Sequence, residues 1–165
     1  MSQADDAGAS IDMPTGRGRD YPTIRQFTIF LENKVGSLQA FLRRFVKSDV
    51  RILALSIIDS TECSILRCIL SHPEQGREIL ERAGLAMIES DLIAVQLRDC
   101  TQPMLDMCSA LLRAEVNLVQ TYPLMLKSEE CLTVAIMVDN IDQAMETLSS
   151  HDFRLLHEDD LTELY

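Results

Sequence analysis

Residues 28–52 read TIFLENKVGSLQAFLRRFVKSDVRI, and residues 94–118 read AVQLRDCTQPMLDMCSALLRAEVNL. Laid one over the other at a shift of 66, the two stretches carry one pattern. Leu31 meets Leu97, and Asn33 meets Asp99. The set Leu38, Phe41, Leu42, Phe45 and Val46 meets Met104, Met107, Cys108, Leu111 and Leu112. Each set has the spacing i, i+3, i+4, i+7, i+8, which is one apolar stripe of an amphipathic helix. Val50-Arg51-Ile52 then meets Val116-Asn117-Leu118 as the next strand begins.

Further along, the shift becomes 68, so that Glu62-Cys63 meets Glu130-Cys131 and Leu80 meets Leu148. The change falls at Asp59-Ser60-Thr61, a hairpin turn where an insertion is tolerated. The chain is therefore an internal repeat, each copy in the order strand, helix, strand, strand, helix, strand. In the first copy the strands are expected at Ile24–Leu31, 51–59, 63–70 and Leu85–Glu89. The helices are expected at Ser37–Lys47, with Ser37 or Gly36 at the N-cap, and at Pro73–Ala83, closed by Gly84. The second copy gives strands Leu92–Leu97, 116–126, 131–138 and 153–157, with helices Pro103–Ala114 and Ile141–Ser150. Pro123 predicts a kink or bulge in an edge strand.

This order is the split βαβ, or ferredoxin-like, motif, so an α+β fold of two βαββαβ units is expected, with both helices on one face of each antiparallel sheet. The boundaries are a leader over 1–22 and units over 23–90 and 91–165, with Glu89-Ser90-Asp91 as the whole junction. A unit of about 70 residues is barely stable alone. Edge-to-edge pairing of the two sheets through their apolar second strands would cover an exposed edge.

Composition narrows the function. The 165 residues carry a formal net charge of −11, which opposes phosphate backbones and anionic membranes. No stretch approaches the roughly 20 apolar residues of a membrane span, and the Gly-, Asp- and Ser-rich N-terminus lacks the apolar core of a secretory signal. The five cysteines include no CxxC pair, and none is spaced with His72, His151 or His157 as a metal site would be. Free, mostly buried thiols and a cytoplasmic location are expected. No P-loop, nucleophile elbow or HExxH pair occurs, so neither an enzyme nor a cofactor is expected. The acidic end HEDDLTELY reads as a strand end and solvated terminus, or else as a docking tail.

With Asn33, Val35, Gly36, Ser37 and Leu38 between first strand and first helix, and VRI and VNL entering the second strands, the chain resembles the ACT domain family over residues 24–163. That family usually has proline where Val35 stands. The resemblance implies a regulatory module that binds a small molecule, usually an amino acid, between paired units, as a free-standing homodimer or docked on a metabolic enzyme. A role similar to that of the small subunit of acetolactate synthase is the alternative. The physical basis at the first loop is plain. A helix N-terminus offers unpaired N–H groups and the positive end of a dipole. Gly36 admits close approach and positive φ. The N–H groups of Gly36, Ser37 and Leu38 are candidates to hold a carboxylate, and Asn33 to bind an ammonium or a carboxylate. The second loop has Gln102 in place of Gly36, and Asp99 repels a carboxylate, so one strong site is expected. By the same resemblance, Asn117, Leu118 and Gln120 are the candidate facing wall.

Overall fold

The alternation in IRQFTIFLE sets the plane of the molecule. In the computed structural model, which describes residues 22–60, 63–126 and 132–163, this stretch is strand β1, Ile24–Glu32. Phe27, Ile29 and Leu31 point to one face and are buried; Ile24 and Gln26 point to the other and are buried as well. A strand apolar on both faces lies inside a layered structure.

The first unit continues with α1 (Ser37–Leu42), β2 (Ile52–Asp59), β3 (Cys63–Leu70) and α2 (Pro73–Arg82). The helix expected over Ser37–Lys47 is shorter, because the chain tightens into a 3-10 turn at Arg43–Phe45. Phe41 and Phe45 stack edge to face at 5.3 Å and anchor the turn in the core. Val46 is 76% exposed, as is its repeat partner Leu112. Both stand eight residues after the first member of their stripe, about 80° around the helix, at the margin that the sheet does not reach. Gly84, at φ 67°, closes α2.

The junction expected at Glu89-Ser90-Asp91 is instead the middle of one continuous strand, β4 (Met87–Gln96). Its first half, Met87–Leu92, pairs antiparallel with Ile24–Ile29. Its second half pairs with β6 (Thr133–Val138) and with β7 (Arg154–Leu156). The polar side chains at 89–91 do not break the strand because their backbone is bonded to β1. One strand thus serves as the last of the first unit and the first of the second. The second unit adds α3 (Pro103–Arg113), β5 (Leu118–Pro123) and α4 (Ile141–Ser150). The hydrogen-bonded path runs β2-β3-β1-β4-β6-β5, with β7 also against β4. Each half of the path keeps the ferredoxin-like order. The second strands do not pair along their edges as expected. β2 and β5 end the path, and a backbone bond from Met125 N–H to Leu53 O (2.7 Å) ties the two regions. β5 is an edge strand, as Pro123 predicts, but no bulge forms there: Pro123 pairs in register with Val134 as the last residue of the strand, and the irregularity lies between Leu118 and Gln120.

Three cores result. Phe27, Ile29, Phe41, Leu66 and Leu80 pack under the helices of the first unit. Ile93, Met107, Leu111, Ile136 and Leu148 do so in the second. Between the units the helix-free faces meet: Ile24, Leu53 and Ile69 lie against Ala94, Ala135 and Leu156. The sheet curls so that its two halves pack face to face.

The C-terminal residues correct the expectation of a solvated end. Glu158–Glu163 form a further helix, α5. Leu161 is 2% exposed in the inter-unit core. Glu158 takes the Arg25 side chain through Nε (2.8 Å) and Nη2 (3.0 Å), and Thr162 donates to Ser71 O (3.0 Å). The end of the second unit therefore straps the first. The proposed leader lies outside the described residues apart from Pro22.

Candidate functional site

The first loop starts where β1 loses its neighbours. Lys34 N–H turns back to Glu32 O (2.9 Å), Ser37 N–H to Lys34 O (3.2 Å), and Ser37 Oγ to Glu32 O (2.8 Å). These bonds force Gly36 into the left-handed region, φ 90° and ψ −5°, where it is the N-cap of α1. No atom lies within 4 Å of where a Cβ at Gly36 would stand. Val35 is fully exposed. The expected trio of N–H groups is thereby reduced: that of Ser37 is already bonded, while those of Leu38 and Gln39 are first-turn donors with no helical carbonyl behind them. Asn33 Nδ2 donates to Ser60 O (3.0 Å), which leaves its Oδ1 as the acceptor at the loop mouth.

The electrostatics of this corner set it apart. Among the described α-helices, α1 alone has no acidic side chain in its first turn. Glu74, Asp106 and Asp142 stand in the first turns of α2, α3 and α4, and α5 begins with three acids. The dipole end of α1 is also without a side-chain cap. The Lys34 ammonium pairs with Glu32, and this hydrogen bond, reinforced by charge, holds the Glu32 carboxyl below the usual carboxylate range. A carboxylate arriving at the loop thus meets uncompensated N–H donors.

The second loop shares the missing side-chain cap but differs in backbone and charge. Gln102 is the N-cap of α3 with φ −137°, and Asp106 already supplies an anion to its first turn, held by Arg98 at 3.4 Å. The Arg98 guanidinium also lies 4.5 Å over the Phe153 ring. Beside this loop is a cleft of about 310 Å³ lined by Leu97, Met104, Tyr122, Leu132 and Val134 among others. Leu97 and Met104 are the repeat partners of Leu31 and Leu38. The lining is almost wholly apolar, so the cleft can take an apolar body and offers a charged head group little grip.

The candidate wall is held elsewhere in the chain. Gln120 Nε2 donates to Gln26 Oε1 (3.2 Å), and Gln26 stands seven residues before Asn33 on an extended strand, about 20 Å away. Asn117 N–H donates to Asp139 Oδ1 (3.0 Å), and Leu118 packs on the second unit's core. Within one chain, Asn117, Leu118 and Gln120 do not face Asn33–Leu38.

The structure adds a polar cluster in the seam. Gln26, 1% exposed, accepts from Tyr122 OH (2.5 Å) and from Gln120, and donates to Ser90 Oγ (3.2 Å). Burial pushes the Tyr122 hydroxyl pKa well above its usual value. The sequence carries little signal for it, because the face of β1 with Gln26 alternates Ile24, Thr28, Phe30 and Glu32 and mixes polar with apolar side chains.

A family model described as an ACT domain pair matches residues 22–165. No curated protein matches. Protein BT0572 from Bacteroides thetaiotaomicron has a similar structure, with a TM-score of 0.78 and 25% identity over 86% of this chain and 97% of that one. The ligand-free regulatory subunit of aspartate kinase from Thermus thermophilus gives a TM-score of 0.55 and 12% identity, over 79% of this chain and 93% of that one. The corresponding subunit from Thermus flavus gives 0.50 and 10% identity, over 78% and 92%. Among the described residues, no helix is long and apolar enough to cross a membrane.

Proposed function

This chain belongs to the ACT domain pair family, and on that premise we propose that it is a non-catalytic regulatory protein that senses an amino acid. The observation that carries the reading is the open first turn of α1, with Gly36 at φ 90° and neither side-chain cap nor acidic residue in that turn. The N–H groups of Gly36 and Leu38, with that of Gln39 behind them, take the α-carboxylate; Asn33 Oδ1 accepts from the α-ammonium. Each charge-assisted bond contributes roughly 1.5–3 kcal/mol, so two or three give a micromolar to millimolar sensor. Ser37 shapes the loop through its bond to Glu32, and Val35 forms the exposed lip.

The protein works as a cytoplasmic homodimer in this reading. Of the expected wall, Asn117 at the exposed start of the edge strand then faces the loop of a second copy, while Leu118 and Gln120 stay in their own chain's core and seam, and ligand binding changes how the copies pack. Such a change regulates a metabolic enzyme when that enzyme distinguishes the two states. The test is a thermal-shift screen against the twenty common amino acids. At 100-fold excess over the dissociation constant, a ligand stabilises the fold by about 2.7 kcal/mol. The Gly36→Asp protein, which sets an anion at the helix end, should lose the shift. A flat response from the wild-type protein to every amino acid overturns the sensor reading and leaves a subunit that acts through protein contacts alone.

A further inference from the structure

The helix-free face of the first unit carries a row of polar groups at the mouth of the seam. Strand register lines up Ser56, Arg67, Thr28 and Ile88 across β2, β3, β1 and β4. The row behind it, Ala54, Ile69, Gln26 and Ser90, lies in the seam with the second unit. The row in front is apolar, with Ile58, Ile65 and Phe30. Three of the described arginines are half-buried: Arg25, Arg67 and Arg77. Arg25 is held by Glu158 and Glu74, and Arg77 by Glu89 and Glu74. Arg67 has neither a carboxylate nor another hydrogen-bond partner among the described residues. A half-buried cation has lost part of its hydration, and an opposite charge makes up the loss. The groups around it are neutral. Thr28 Oγ1 accepts from Gln26 Nε2 (3.5 Å), which leaves its own proton to donate. The Ser56 hydroxyl is without a partner among the described residues. Tyr122 OH, bonded to Gln26, stands close enough to Arg67 that the guanidinium charge acts against burial in setting its pKa.

We propose that Arg67, Ser56 and Thr28 form a binding site for a small monocarboxylate with an apolar body and no ammonium group, such as a branched 2-oxo acid. The planar guanidinium matches a carboxylate through two parallel bonds. The two hydroxyls donate to the carboxylate or to an oxygen on the next carbon. The body of the acid lies over Ile58, Ile65 and Phe30, about 7 Å further along the strands. Charge selects the class. One arginine balances one negative charge, and in a chain of −11 a dianionic phosphate would keep an excess that nothing in these rows meets. None of the three rows holds an Asp or Glu to receive an ammonium. An amino acid is therefore the weaker ligand here, unlike at the Gly36 loop. This site is separate from that loop and rests on no part of the proposed function.

Isothermal titration calorimetry of the full chain reads the site, with 4-methyl-2-oxopentanoate as the probe. Leucine, which has the same carbon skeleton and an ammonium in place of the oxo group, is the comparison. The wild-type protein is expected to bind the oxo acid more tightly than it binds leucine through Arg67. Arg67→Gln raises the dissociation constant for the oxo acid at least about 10-fold, as the loss of a charge-assisted bond should. Arg113→Gln, which removes the same charge from an exposed position on α3, leaves it unchanged. Thermal melts establish that each variant is folded. Where Arg67→Gln is not, Arg67→Lys takes its place, since it keeps the charge and loses the paired bonds. A wild-type chain that binds no oxo acid at up to about 10 mM overturns the site. Binding that survives Arg67→Gln overturns it as well; if Gly36→Asp abolishes that binding, the acid sits in the first loop and the loop reading stands. Leucine bound as tightly as the oxo acid, and lost with it in Arg67→Gln, overturns the exclusion of the ammonium.

Discussion

Gly36 and Gln26 show how single residues set the two properties that matter, an open loop and a registered seam. At Gly36 a side chain would meet no neighbour, so the cost of Gly36→Ala is backbone strain at φ 90°. About 1 kcal/mol of lost stability is expected in denaturant melts. At Gln26 one carbonyl oxygen satisfies two donors from β5. Gln26→Leu leaves Tyr122 OH and Gln120 unpartnered in the seam, and should cost about 2–4 kcal/mol by the same melts. Tyr122 carries a pH signature. Its hydroxyl pKa is raised by burial, so above about pH 10 the unfolded chain gives up a proton that the folded chain keeps. The stability it contributes is whole below that pH and falls as pH climbs toward the folded value. Chemical unfolding at pH 9 and pH 11 should show a smaller loss in Tyr122→Phe than in the wild-type protein. The loop was legible in the sequence because glycine before an amphipathic stripe has few explanations. Gln26 was not, since the partner of a buried amide on a distant strand leaves no periodic trace.

At the scale of elements, helices and hairpins followed the apolar periods closely, while joints and ends did not. Ile141–Ser150 and Cys63–Leu70 lie where the pattern put them. The polar triplet Glu89-Ser90-Asp91 predicts a junction, yet the backbone bonding of the long strand β4 outweighs three polar side chains. α5 was missed because a short acidic stretch carries a single apolar anchor, Leu161, whose pocket forms only from both units. Leu161→Ala should therefore cost about 2–5 kcal/mol in denaturant melts, like other buried leucines. Thiols separate in the same way. Burial pushes Cys68 up to about 12, while Cys100 is exposed in the second loop. Under native conditions at pH 8, iodoacetamide should modify Cys100 and leave Cys68 untouched, as mass spectrometry of peptides would read.

For the whole molecule, the repeat predicted two units and the structure joins them through β4, the seam and α5. Units that share a strand and a core should unfold together. Calorimetry is expected to show one transition, and two separated transitions would contradict the shared-strand account. How the units meet could not be read from either copy alone, because a face apolar enough to be buried does not say what will cover it. The most direct measurement of the central claim is an amide-resolved NMR titration with the amino acid that gives the largest thermal shift. The account predicts that the Gly36, Leu38 and Gln39 amides move first and furthest. Shifts centred instead on the second loop, with those three amides still, would contradict it.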